Sequence, residues 1–493
     1  MEKLRNRSFI FLPFLFEREF AGGPEVFDKI VGKSLPKGNA LIDHMTSWKM
    51  SDTRIRKYIL KYIQDTFLTE DTRFRKMLMF EPADIDKTLF SEGHIRLDQT
   101  LKFAPNDIRT DENCSDEYSF QIKGVNIYMF RTGVGIVCFE VEYPESEYTY
   151  ISTCEYFLQK VRQQPIPDIC VDKYNGSNTL LDLARSLIYS IFTDLGFSVQ
   201  DNDTHNKATA DNSIKTLFFY YSKEETERAD FFTFLDIDGP VDPKVQNGGQ
   251  PDICIYEKEL FYLDRCYKPS FSYIPGFSKD SVYQASGGKF WGITQKCTAC
   301  IFNRTLEGAT RSFNDRYFEN FRDHYRFMYV LVLHQKYALH LYLSRLVPTD
   351  AMPELDLKHL EQYQEQLYAF KTDFVFATIS EIEQYQNLYS RINKAFALDE
   401  MYTDVEEPLQ KLDEQQKRVK ENAEHRRENL MNIVLAVIAV LSIFSALKDS
   451  FDYLGDPLNI PHLTFFFGFL AFVGIVVIAA IIIYRWFNRD GKQ

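Results

Sequence analysis

Two stretches near the end of the chain have lost the usual mixture of polar and apolar positions. Residues 431–447 (MNIVLAVIAVLSIFSAL) and 464–484 (TFFFGFLAFVGIVVIAAIIIY) contain no charged side chain. A helix needs roughly 17–25 apolar residues to cross the hydrocarbon core of a bilayer, so each run predicts a transmembrane helix. A buried core helix would keep a polar stripe, and the second run has none. Lys417, Arg418, Lys420, Arg426 and Arg427 precede the first run, and Arg485, Arg489 and Lys492 follow the second. Between the runs, Lys448 stands against Asp449, Asp452 and Asp456. Lys and Arg collect on the cytoplasmic side. The expectation is a multi-pass protein of the inner (plasma) membrane with both termini cytoplasmic. Residues 448–463 would form an external loop and 485–493 a basic cytosolic tail. The first residues do not read as a signal peptide, since 1–7 is charged and FIFLPFLF is too short.

The pattern before 431 changes once. Residues 1–311 mix periods of two and of 3.6, which predicts an α+β or α/β cytosolic domain. FIFLPFLF and IKTLFFYY read as strands, and residues 118–143 as a meander turning near Gly124 and Gly133. DTRIRKYILKYIQDTF, YISTCEYFLQKV and NTLLDLARSLIYSIF read as helices. The Gly/Pro-rich 239–252 is a candidate lid or boundary. From 312 to 430 the chain reads as long cytosolic helices, a stalk. The first spans 312–347, the second lies in 354–407, and the third opens at Pro408, a residue suited to a first helical turn.

That third helix would continue into the first apolar run. On one side lies a seam of Leu409, Leu412, Val419, Leu430, Ile433, Val437, Val440 and Phe444. Opposite lies a small or polar stripe of His425, Glu428, Asn432, Leu435, Ala439, Ser442, Ala446 and Asp449. Small residues let membrane helices approach closely, and polar ones avoid lipid. The stripe fits either ordinary helix packing or the wall of a pore on a symmetry axis. Asn432 at one end and Asp449 at the other favour the pore, with Asp452 and Asp456 at its outer mouth.

Composition narrows the partners. A net charge of −13 argues against direct nucleic-acid binding. The 8 cysteines precede the apolar runs and are expected to be free thiols in a reducing compartment. With 43 Phe and 29 Tyr, the body should hold a large folded core.

The last 180 or so residues resemble the CorA family of divalent-cation channels. Long helices lead into a first span, followed by a short outer loop, a second span and a basic tail. The resemblance implies a homopentamer with the first spans around the pore and the Phe-rich second spans (Phe465, Phe466, Phe467, Phe469, Phe472) facing lipid. CorA proteins carry Gly-Met-Asn after the first span, where it binds the hydrated ion. Here the matching stretch is FDYLGDPLN, with Tyr453, Gly455 and Asn459 but no such motif, so magnesium selectivity does not carry over. Its aspartates would supply a negative field instead. The divergent front half and lost filter resemble a CorA branch that serves as membrane effector of type III CRISPR immunity. That branch answers a nucleotide second messenger, S-adenosylmethionine-AMP. The resemblance therefore implies self-association, a lipid bilayer, a cytosolic nucleotide and permeating cations, divalent ones among them, as partners.

Enzyme signatures are weak, and no tightly bound cofactor or metal is expected. There is no Walker loop and no strand-coupled G-x-G-x-x-G. Cys297 and Cys300 (CTAC) have zinc-like spacing without a second ligand pair. His334 and His340 read as core or surface polar residues, and Asp236 and Asp238 as a solvated loop. The ligand candidates are Gly287 and Gly288 for close approach, Lys289 for a phosphate and Trp291 for an adenine face, with Arg131 and Arg162 as further phosphate contacts. The same stretch also reads as a Gly hairpin with a core Trp. The rival to a channel is a scaffold or enzyme tethered to the membrane by two helices.

Overall fold

A computed structural model describes residues 4–17, 23–34, 48–50, 58–68, 75–83, 96–105, 117–169, 178–201, 213–218, 228–239, 254–308, 310–346 and 357–455, with Gly468 and Gly474. The first half alternates strands and helices. It runs β1 (Asn6–Glu17), α1 (Gly23–Ser34), β2 (Trp48–Met50), α2 (Lys61–Leu68), β3 (Met77–Pro82), β4 (Thr100–Phe103), β5 (Tyr118–Phe130) and β6 (Val134–Glu142). Next come α3 (Tyr148–Leu158), α4 (Leu180–Asp194), β7 (Ser198–Asp201), β8 (Ser213–Phe218), β9 (Asp230–Ile237), α5 (Glu257–Leu263), β10 (Val282–Ser286), β11 (Lys289–Ile293) and β12 (Cys297–Asn303). Helices follow: α6 (Arg304–Glu307), α7 (Arg311–Asn320), a π-turn (Phe321–Tyr325), α8 (Arg326–Leu346), α9 (Leu357–Phe374), α10 (Glu383–Ala395) and α11 (Leu398–Gly455). The fold is α/β: a mixed sheet followed by helices.

The strands form a 12-stranded sheet in the order β10-β11-β12-β9-β1-β6-β5-β3-β2, with β4 on β5 and β8 on β1 and β7. Only the β9–β12 and β7–β8 ladders are parallel among the described pairs. β1 lies at the centre because its sequence is apolar on both faces; Phe9, Ile10, Phe11, Leu12, Phe14 and Phe16 are fully buried. A continuous apolar run is what a strand covered on both sides requires. Each such side chain contributes roughly 1.5–3 kcal/mol by leaving water. Phe16 meets Phe192 of α4 on one face, whereas Phe9 meets Phe321 and Phe11 meets Tyr329 on the other. Pro13 sits where the neighbour on one side changes from β9, which ends its pairing at Phe11, to β8, which begins at Phe14. A residue without an N–H is tolerated at such a gap.

Helix starts follow local chemistry. Thr179 caps α4 by accepting from the Asp182 N–H, while the Asp182 carboxylate accepts from the Thr179 N–H at 3.1 Å. α8 is buried along most of its length, with Phe232 stacked on Phe321 just before it at 4.5 Å. His334 is a core residue: its ring stacks on Phe130 at 3.9 Å and Nε2 lies 2.8 Å from Thr132 Oγ1. His340 is exposed.

Several expectations need correcting. Gly133 does turn the β5–β6 hairpin, but Gly124 lies within β5, where the register shifts between Ile122 and Gly124 as a bulge. The helix expected over 312–347 contains the π-turn. The third long helix opens at Leu398, after Ala397 in the left-handed region, so Pro408 is interior. Interior proline costs about 3 kcal/mol, which the Glu-, Lys- and Leu-rich flanks tolerate. The chain divides into two compact units at 406/407, not at 311/312, so α7 to α10 belong with the sheet and do not form a separate stalk. Residues 448–455 are helical, so the expected outer loop does not begin after 447. The 240–252 part of the expected lid lies outside the described residues.

Among the described residues no helix is long and apolar enough to cross a membrane. The side chains of Phe444 and Leu447, two bulky members of the first apolar run, are not described, nor is 464–484 apart from its two glycines.

Candidate functional site

Within the second unit, the proposed pore stripe falls on one helix. Glu428, Asn432, Leu435, Ala439, Ser442, Ala446 and Asp449 all lie on α11, and all are exposed. Steps of four and three keep them on one face. Leu430, Met431, Val434, Leu435, Ile438, Leu441 and Ile443 expose 47–60% of their surface in the single chain. Ile433, Val437 and Val440, from the apolar seam, are less exposed. Ser442 donates its hydroxyl to the Ile438 carbonyl at 2.8 Å, one turn back on the same helix. Asp449 and Asp452 are three apart on the helix, while Asp456 lies outside the described residues.

The expected nucleotide contacts do not converge. Lys289 pairs with Glu307 at 3.1 Å and lies 4.8 Å from the Tyr317 ring centroid. Asn303 builds this corner by capping α6, accepting from the Leu306 N–H at 2.8 Å, and Gly308 ends that helix with φ 62°. Glu307 then receives the Gly288 N–H at 2.7 Å and the Ser286 hydroxyl at 2.8 Å. Burial alone would raise its carboxyl, but these donors and the Lys289 ammonium hold it below its ordinary value. A Cβ on Gly288 would stand 2.3 Å from the Asn303 carbonyl oxygen, so this glycine serves a close approach of strand and helix. Trp291 is 2% exposed, packed against Phe232, Phe321 and Tyr325, and presents no open face. The hairpin with a core Trp is therefore the structure of this stretch.

Arg131 lies in the β5–β6 turn and pairs with Asp28 at 3.2 Å. That turn is at the Leu15 end of β1, where Leu15 faces Val134. Lys289 is at the other end, reached through Asn6–Leu235, Leu235–Ile301 and Ile301–Phe290 pairs. Nine residues at about 3.3 Å each place these ends roughly 30 Å apart. Arg162 follows α3 and is half-buried. The six candidates do not make one pocket.

Other polar residues found partners that spacing did not reveal. Cys297 and Cys300 are three apart on a strand and so face opposite ways. Cys297 Sγ lies 3.0 Å from Cys266 Sγ, and Cys300 Sγ 3.6 Å from the Tyr317 hydroxyl. No metal-competent cluster occurs among the described residues. Asp236 is held by the Arg304 guanidinium, whose Nε donates at 2.8 Å, and Asp238 accepts from the Thr305 hydroxyl. Beside the π-turn, Arg326 is buried; Nη1 donates to Asn126 Oδ1 at 2.7 Å, the guanidinium lies 5.1 Å from the Phe9 ring centroid, and Nε has no hydrogen-bond partner among the described residues. The buried Tyr128 hydroxyl, on the same strand face as Asn126, also has no hydrogen-bond partner among the described residues. A π-turn often marks a functional position, and nothing in the local sequence announces this one. No known family, characterised protein or solved structure matches the chain.

Proposed function

We propose that this protein is a CorA-like, homopentameric cation channel of the inner membrane, with both termini cytoplasmic. One observation carries the reading: α11 presents large apolar side chains over 430–443, each about half exposed, on a segment that has no charge from 431 to 447. Water is a poor solvent for that surface, and hydrocarbon or other copies of the same helix would cover it. Seventeen residues at 1.5 Å each rise about 25 Å, near the thickness of a bilayer core. The polar stripe from Asn432 to Asp449 would then face a shared axis and the remaining faces lipid or the second span, 464–484. Asp449 and Asp452 at the outer end would concentrate cations, divalent ions included.

Gating would come from the sheet-and-helix body. The proposed ligand is an adenine-containing second messenger, S-adenosylmethionine-AMP, and the role that of membrane effector in type III CRISPR immunity. Lys289 and Trp291 have internal partners, so the ligand contacts would come from other residues of this unit. A ligand shifts the pore only by the difference in its affinity for the two states. α11 starts within the first unit and continues past Pro408, whose missing N–H leaves one helical carbonyl without its donor and makes a pliant point for that shift.

The test is mass. Purified in detergent, the full chain is expected to be a pentamer by mass photometry. A monomer or dimer that remains soluble without detergent would sink the channel reading.

A further inference from the structure

We propose that Cys266 and Cys297 form an oxidation-sensitive dithiol, which a peroxide closes to a disulfide while the Glu155 carboxylate takes the Cys266 thiol proton. The site lies within the sheet-bearing unit and does not depend on the channel reading. Cys266 follows α5, and Cys297 opens β12, 31 positions later. Their Sγ atoms lie 3.0 Å apart, about 1 Å more than the ~2.05 Å of a bonded pair. The Cys266 thiol also donates to Glu155 Oε2, at 3.9 Å.

The two sulfurs are held with different firmness. Cys297 pairs with Phe231 of β9 and donates its N–H to Thr294 Oγ1 at 3.2 Å. Cys266 has φ 49°, the left-handed region that non-glycine residues rarely adopt. Both thiols are buried, so a small oxidant reaches them through local opening, and the strained turn opens more readily than the sheet. Burial pushes the Cys266 thiol well above its ordinary value, which makes an unassisted thiol slow. Glu155 supplies the base. Its carboxyl, raised to about 7, receives the Ser8 hydroxyl at 2.7 Å and the Thr233 hydroxyl at 2.5 Å. A group poised near neutrality is suited to accept a proton. Tyr143 and Cys154 also interact with Glu155, Asp264 with Cys266, and Tyr329 and Lys336 of α8 with Cys297.

The chemistry balances in two steps. The Cys266 thiolate attacks one peroxide oxygen, and the O–O bond breaks. The departing hydroxide takes the proton held by Glu155 and leaves as water. The Cys297 sulfur then attacks the sulfenic sulfur of Cys266, the S–O bond breaks, and that hydroxide leaves as water with the Cys297 proton. Each sulfur gives up one electron, and the peroxide gains both. The new bond would tie the end of α5, whose Leu260 and Leu263 share the core with Ile151 and Leu158 of α3, to β12.

The experiment maps the bond and follows its rate. Full-length protein is reduced, freed of reductant and treated with excess hydrogen peroxide at several pH values around neutrality. It is then denatured, alkylated and mapped by mass spectrometry without reduction. The expected product is a peptide pair joined at 266 and 297, with two of the 8 cysteines no longer alkylated. Its rate of formation should rise through about pH 7, where Glu155 loses its proton. Glu155→Gln is expected to slow it at least roughly tenfold at neutral pH and to remove that rise. Thr233→Val keeps the carboxylate but removes a donor to it, and should move the rise to higher pH. Cys266 and Cys297 that both stay alkylated, whether or not other cysteines are oxidised, overturn the proposal. A rate that is flat with pH and equal in wild type and Glu155→Gln overturns the part given to the carboxylate.

Discussion

The Lys336 ammonium, on the middle of α8, donates to the carboxylate of Asp230, the first residue of β9, at 3.0 Å, and both side chains are buried. The second carboxylate oxygen accepts from the Tyr337 hydroxyl, and Lys336 also donates to the Gln295 carbonyl at 2.9 Å. Burial pushes the Lys336 ammonium below its ordinary value, against the pull of Asp230. This pair fastens the helical layer to the sheet. Asp230→Ala would leave a buried cation uncompensated, and a loss of about 3–5 kcal/mol is expected in urea unfolding. Asp230→Leu with Lys336→Met is expected to cost clearly less. Equal losses would mean that shape, not charge, sets the effect.

Glu155 predicts a pH dependence. It is fully buried, and burial pushes its carboxyl up to about 7, although hydrogen bonds from Thr233, Ser8 and Cys266 oppose the rise. The folded state therefore keeps its proton to higher pH than the unfolded state does. The associated stability is present at low pH and is lost as pH rises from about 4.5 to about 7. The full loss is on the order of 3 kcal/mol. Asp264, buried and likewise raised to about 7, changes stability in the same direction. Glu155→Gln is expected to flatten the decline between about pH 5 and pH 8 without abolishing it. Parallel stability curves for variant and wild type would rule Glu155 out as the source.

The acidic end of α11 makes the third prediction. Asp449→Asn, alone and with Asp452→Asn and Asp456→Asn, is expected to leave folding nearly intact, since exposed charges contribute little to stability. Cation flux into liposomes is expected to fall, with Asp449 responsible for most of the loss because it continues the stripe of Ala439, Ser442 and Ala446. The fall should be larger in low salt than at 0.15 M, where the Debye length is about 8 Å. Equal flux in all three proteins would make these aspartates ordinary solvated residues.

Much of this protein was legible without coordinates, for a physical reason: local pattern decides local structure. The apolar run of β1, the Gly133 turn, helices α3 and α4, and the helical character after 311 all follow from periodicity and turn chemistry. So does the uncharged stretch 431–447, whose solvent is an issue whatever surrounds it. Gly124 and Pro408 each have two roles, turn or bulge for the glycine and helix start or helix interior for the proline. Sequence spacing does not choose between them; strand pairing and neighbouring helix formers do.

The tertiary structure alone decided which polar groups meet. Lys289 looked like a phosphate ligand until α6 brought Glu307 to it, and Trp291 like a stacking face until Phe232 and Phe321 covered it. Glu155 met Ser8 and Thr233, and Arg326 met Asn126, across separations of 147, 78 and 200 residues. Burial converts such meetings into shifted proton affinities, because the penalty for desolvating a charge depends on what stands within a few ångströms of it. The order of residues along a chain carries the period of a helix or a strand, but a contact between residues 126 and 326 exists only once α8 has packed against β5 of the folded sheet.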